Sequence, residues 1–251
     1  MISVETNGLI AELFTLIAKG EFHIESIRLN ASNQPLFHPH TAFTRIDRHC
    51  AKLISANDIH CFLRDSNREL SLEHCFYFLH FFDSNDDGFL DYEDFCTIVL
   101  PTTKLSLKKS VLTRPYFVIP PDEFLPYDIE GYLADLLHSE CILHRALEDH
   151  KQRLACRFDF SVKHIFDNIK DPKSKMIELK DIKTFVKKCN IPMDVKLLSS
   201  LIRRIDKDED NKISVDEFRD SIVPVERDSI QNPGFCFPTK AFLMQTNIHK
   251  A

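Results

Sequence analysis

Apolar residues return at helical spacing along most of the chain, in blocks separated by polar and acidic stretches. The longest block runs from about Asp128 to Ala155, where Leu133, Leu136, Leu137, Leu143, Leu147 and Leu154 mark one helix face. At ~1.5 Å per residue this is a rod of about 40 Å. Shorter blocks flank two acidic stretches. Phe78, Leu79 and Phe82 precede the first and Phe95 follows it; Leu201, Ile202 and Ile205 precede the second and Phe218 follows it.

These blocks belong to an internal repeat with an interval of 123 residues. Phe43 matches Phe166, Ile54 matches Ile177, Asp58-Ile59 matches Asp181-Ile182, and Phe62 matches Phe185. Ser71 matches Asp194, both suited to cap a helix N-terminus. Asp83 matches Asp206, Gly88 matches Asn211, Phe95 matches Phe218, and Pro101 matches Pro224. Upstream, Leu16-Ile17 and Glu21 resemble Leu136-Leu137 and Glu140 in character but out of strict register.

The expected organisation is therefore all-α, in two lobes. Residues 1–101 carry a lead-in helix and two helix–loop–helix units, and residues 129–224 a long lead-in helix and two more. Pro115, Pro120, Pro121 and Pro126 make residues 102–128 an extended linker. Residues 225–251 form an extended tail, in which Phe235, Phe237, Phe242 and Leu243 are too apolar for a free solvated segment.

The acidic stretches have the spacing of divalent-cation loops. Calcium takes six to eight oxygens, and a twelve-residue loop supplies them from positions 1, 3, 5, 7, 9 and 12. In the loop 206–217 these are Asp206, Asp208, Asp210, the Lys212 carbonyl, Ser214 and Glu217, with Asn211 at the sharp turn usually given to glycine. In the loop 83–94 they are Asp83, Asn85, Asp87, the Phe89 carbonyl, Asp91 and Asp94, with Gly88 at the turn. Asp94 has a shorter stem than glutamate, which weakens bidentate reach and relatively favours Mg²⁺ over Ca²⁺. The alternative is an intact loop that keeps its shape and holds little metal.

The other two loops, 47–58 and 170–181, lack this set. His49 and Ala51 stand where oxygens belong in one, and Lys170 opens the other. Both keep an apolar position 8, Ile54 and Ile177, to pair with Leu90 and Ile213 across short β-bridges. Their expected role is structural, since one helix–loop–helix needs a partner to bury its apolar face.

These loops and helices resemble the calmodulin-like EF-hand superfamily over most of residues 43–101 and 163–224. The resemblance implies compact paired hands and a calcium-opened apolar groove for a target helix. The run from Leu136 through Glu140, Arg145 and Glu148 to Leu154, followed by Asp159-Phe160-Ser161 and Phe166, also resembles ciliate EF-hand proteins. Some relatives of that type are associated with flagellar axonemes and microtubules. Two functions then compete: a structural or regulatory component of a cytoskeletal or axonemal assembly, with tubulin or axonemal proteins as partners, and a soluble calcium sensor that regulates a target enzyme. The chain has 21 phenylalanines and only four methionines. Adaptable sensor grooves are rich in methionine, so this balance favours one fixed protein partner.

Charge and composition narrow the classes further. A net charge of −6 argues against nucleic acid. No apolar run approaches the length of a membrane span, and the opening residues read neither as a signal peptide nor as a myristoylation site. The eight cysteines form no Cys-x-x-Cys pair, which suits reduced thiols and a cytoplasmic setting, with the cilium as the setting the ciliate resemblance implies. No phosphate loop, nucleophile elbow or His-Glu-x-x-His is present, and the chain does not read as an enzyme. Against the acidic total, residues 170–188 hold seven lysines and three acidic residues. This run is either a solvated face or a surface for an acidic partner.

Overall fold

The computed structural model describes residues 2–120 and 123–225. Helix α1 (Val4–Asn33) starts at Ser3, whose Oγ accepts the Thr6 N–H at 3.2 Å. Four short helices make the first pair of helix–loop–helix units: α2 (Pro39–Ile46), α3 (Ala56–Asp65), α4 (Leu72–Phe82) and α5 (Tyr92–Val99). After α6 (Leu105–Leu112) comes the long α7 (Tyr127–Ala155). The second pair is α8 (Val162–Ile169), α9 (Leu179–Lys188), α10 (Val195–Ile205) and α11 (Val215–Ile222).

Every bound of α2–α5 returns in α8–α11 after 123 residues. The starts of α1 and α7 keep the same interval, so the upstream gap expected from the sequence is absent. Leucine and isoleucine recur so densely there that a false register matched in character. The polar residues give the true one. Glu25 accepts the N–H groups of Thr102 and Thr103, at 3.0 and 2.7 Å. Glu148, one interval on, accepts that of Val225 at 3.1 Å. Each thus holds the chain just after the proline, Pro101 or Pro224, that closes a pair.

Position 9 of each loop precedes an exit helix and position 12 is that helix's third residue, so the two can form a reciprocal cap. The N–H groups of Ser55, Asp91, Glu178 and Ser214 donate to Asp58, Asp94, Asp181 and Glu217, at 2.9, 3.2, 2.9 and 2.8 Å. An acidic position 12 therefore survives in the two loops without a ligand set because it still caps a helix. Ser71 and Asp194 sit at the N-caps of α4 and α10. Asp194 accepts the Leu197 N–H, while the Ser71 hydroxyl pairs with His74 instead. Among the described residues β structure is confined to the two expected bridges, Ile54–Leu90 and Ile177–Ile213.

The linker is not wholly extended, because α6 forms inside it. Its prolines begin only at Pro115, and the preceding stretch has neither proline nor glycine and buries Val111. All of the expected tail but residue 225 lies outside the described residues.

The lead-in helices cross between the pairs. The N-terminal half of α1 reaches the second pair: Phe14 lies edge-on to Phe185 and Phe218, and Asn7 bonds Asn168. The N-terminal half of α7 reaches the first pair: Glu130 binds Arg45 at 2.7 Å and Asp135 binds Arg68 at 2.5 Å. The C-terminal half of each stays with its own pair, where Arg28 donates to the Ile98 carbonyl and Lys151 to the Asp220 carbonyl. The apolar interiors of both pairs join into one core. Where α1 and α7 cross, Gly20 faces Leu143, its own counterpart in the repeat. A Cβ on Gly20 would stand 2.6 Å from the Leu143 methyls, so the lack of a side chain sets the approach.

Candidate metal centres

In the loop 206–217 the sequence gathers three carboxylates on one short turn. Asp206, Asp208 and Asp210 bring one oxygen each to within 4.8 Å of the others, the one such group of three among the described residues. Backbone donors hold them in place. Asp206 accepts from Asp210 and Asn211 N–H, and Asp210 from Lys212 N–H at 2.7 Å. The turn passes through the left-handed region at Glu209 (φ 61°) and Asn211 (φ 64°). Asparagine tolerates that region better than most residues, which explains its use at the usual glycine position.

Glu217 is outside this trio yet faces it. Its Oε1 accepts the Lys207 N–H at 2.7 Å, across the mouth of the loop, and its Oε2 accepts from Ser214. Burial works to raise the Glu217 pKa, but the backbone donors of Ser214 and Lys207 outweigh it and hold the carboxyl below its ordinary range. Asp206 is pushed up, first by burial and then by Asp208 and the charge of Glu217, against the pull of the Asn211 N–H. The three crowded aspartates have no cationic side chain among them, and a divalent cation supplies that counter-charge. The donor set fits a hard cation.

The loop 83–94 repeats this backbone. Asp83 accepts from Asp87 and Gly88 N–H at 3.2 and 2.7 Å, and Asp87 accepts from Phe89 N–H at 2.9 Å. Asp86 (φ 57°) and Gly88 (φ 85°) take the left-handed positions. Asn85 supplies an amide where the second loop has Asp208, and its Nδ2 bonds Asp87. Asp91 caps α5 and Asp94 returns to the Asp91 N–H. The bond from Asp94 reaches back three residues, whereas the Lys207–Glu217 bond spans ten. The shorter stem thus shows in the geometry.

Residues 39–100 match the family model of an EF-hand domain pair, and residues 198–223 match that of an EF hand. The chain carries EF-hands. No curated protein matches the chain. EF-hands indicate calcium binding, and proteins built from them are typically non-enzymatic calcium binders. No helix among the described residues is long and apolar enough to cross a membrane.

The two helix–loop–helix units without a full ligand set differ from each other. The loop 47–58 keeps the metal-loop backbone: Asp47 accepts from Ala51 and Lys52 N–H at 2.9 and 2.7 Å, and Cys50 (φ 52°) and Lys52 (φ 60°) occupy the left-handed positions. The loop 170–181 has Pro172 at position 3 and no left-handed residue among its positions 1 to 12, so it has lost the backbone as well.

Sequence reasoning missed an ionic cluster at the entrance to the loop 206–217. Arg203 and Arg204 form the last turn of α10, immediately before Asp206. Both reach Glu21 of α1 at 3.1 Å, and Arg204 also binds Glu140 of α7. Arg28 joins the same two carboxylates at 3.1 and 2.9 Å. Glu140 is fully buried, and its pKa stays low despite that burial because the Arg204 and Arg28 guanidiniums face it. His144 Nε2 lies 2.8 Å from Arg204 Nη2. Arginine only donates, so this imidazole nitrogen accepts and the ring is neutral. Burial, with the Arg204 charge beside it, lowers the His144 pKa to about 4 although Glu140 pulls the other way. The members are far apart in sequence and each reads alone as a surface charge. Only the repeat, which aligns Glu25 with Glu148 and Arg28 with Lys151, could have pointed to lead-in helices with buried ionic work.

Proposed function

We propose that the chain is a calcium-binding structural component of a cytoskeletal assembly, with an axonemal microtubule as the setting that the ciliate resemblance suggests. In this reading Asp206, Asp208, Asp210, the Lys212 carbonyl, Ser214 and Glu217 hold Ca²⁺. Asp83, Asn85, Asp87, the Phe89 carbonyl, Asp91 and Asp94 form a weaker site that relatively favours Mg²⁺.

One observation carries the structural reading over the soluble sensor. A sensor of the calmodulin type needs an apolar groove for a target helix. Here the apolar faces of both pairs pack against the chain's own α1 and α7. An external partner then meets the outer surface, and the lysine run offers one. Lys173, Lys175, Lys183, Lys187 and Lys188 are exposed, while Lys170 pairs with Asp167 and Lys180 with Glu178. A surface of that sign suits the acidic face of tubulin, and its contact is steered by charge and weakened by salt.

Co-sedimentation with microtubules at low and high salt tests this. The wild type is expected to pellet at low salt, and replacing Lys170, Lys173 and Lys175 by Glu should reduce the bound fraction. Failure of the wild type to associate at low salt, with and without calcium, overturns the proposal.

A further inference from the structure

The loop 206–217 is fastened to α1 at both ends. At its entrance Arg203 and Arg204 bind Glu21, which is 2% exposed. At its exit Phe218, the residue after Glu217, lies edge-on to Phe14 with ring centroids 6.4 Å apart. Phe14 also meets Phe185 of α9 at 6.1 Å, so its ring sits between the exit helices of both loops of the second pair. The first metal loop has no such ionic tie: the counterpart of Arg204 is Phe81 and that of Glu21 is His144, and these two rings lie tilted with centroids 4.3 Å apart.

The proposed ligands of the second loop divide between the same two helix ends. Asp206 closes α10 and Glu217 opens α11. A cation held by both fixes the spacing of those ends. Helix α1 fixes it too, through Glu21 on one side and Phe14 on the other.

We infer that α1 is a built-in ligand of the second EF-hand pair, and that its seating and metal binding at 206–217 are one coupled equilibrium. The inference rests on the metal reading of that loop. Linkage makes the coupling reciprocal: if seated α1 favours the helix spacing the cation needs, the cation favours seated α1 by the same factor. The apolar contact supplies burial, and the Glu21 pair fixes how far α1 slides along the groove, since a shift would pull a buried carboxylate away from Arg203 and Arg204.

The test uses the full chain carrying Asp83→Asn, which silences the first loop. Calorimetry with CaCl₂ gives the affinity at 206–217 alone, and hydrogen exchange reads the amides of residues 13–18 with and without calcium. Phe14→Ala and Glu21→Gln are each expected to weaken calcium binding by about fivefold or more, and calcium should slow exchange over residues 13–18. If a variant fails to fold, the exchange measurement on the unsubstituted helix decides by itself. Unchanged affinities together with calcium-independent exchange overturn the coupling and leave the metal site standing. Absence of calcium uptake at an intact 206–217 loop overturns both.

Discussion

The two halves share a backbone and differ in what they place where α1 and α7 cross. The repeat pairs Ile17 with Glu140, Gly20 with Leu143, Glu21 with His144, and Phe81 with Arg204. On one side of the crossing a carboxylate meets a guanidinium, and on the other an imidazole meets a phenyl ring. All four groups come together, since Arg204 also lies 5.1 Å from the Phe81 ring centre and donates to His144. A symmetric pair of carboxylates or guanidiniums would repel in so dry a place. Divergence between the halves lets a duplicated surface bind itself.

The largest expected effect comes from breaking the charged side. Glu140→Ala leaves Arg204 and Arg28 short of a buried counter-charge and should cost about 3–5 kcal/mol of stability. Its counterpart Ile17 makes only apolar contact, and Ile17→Val should cost about 0.5–1.5 kcal/mol. Urea unfolding of both variants checks the contrast. Equal costs would mean that the ionic network adds nothing beyond packing.

Acid sharpens the comparison next. His144 is packed against Phe78, Phe81 and Phe82 and faces Glu140, Arg204 and Lys151. Its pKa falls from 6.5 to about 4 on folding, so the unfolded chain binds the proton first. The stabilisation from keeping this ring neutral is complete above pH 6.5 and is lost as pH falls toward 4, up to about 3 kcal/mol. His38 and His138 are also lowered and add in the same direction. Unfolding free energies at pH 7.5 and pH 4.5 should therefore diverge more for the wild type than for His144→Asn. Parallel pH profiles for the two would sink this assignment.

The smallest effect concerns the two metal loops. Glu217→Gln should weaken calcium at the second loop by at least about tenfold, or ~1.4 kcal/mol. Asp94→Glu should strengthen the first loop by a similar factor, because it restores the reach that Glu217 shows across to Lys207. Single-site calorimetry gives both numbers, and an opposite ranking would defeat the position-12 comparison.

Much of this architecture was legible in the sequence. Loop spacing, paired position-8 residues and the 123-residue interval located the helix–loop–helix units and both bridges. Periodicity shows that a helix has a buried face but not what covers it. For that reason the crossing of α1 and α7 could not be read, nor could Glu21, Arg28 and Glu140, which look like the polar side of amphipathic helices. The short α6 was lost in a segment that counted its prolines as one block. Cys50 and Lys52 in left-handed conformations were hidden as well, because the absence of ligands gave no sign that the loop 47–58 had kept its backbone.

The crossed helices also set an order of events during synthesis. Phe14 must wait for Phe218, which leaves the ribosome 204 residues later. The first pair gains its partner helix only once α7 has been made, and until then its apolar face is uncovered. Contacts so distant along the chain slow folding and lengthen the time such faces stay exposed. A nascent chain stopped anywhere before α11 would carry an N-terminal helix whose docking groove is incomplete, since Phe218 is still missing.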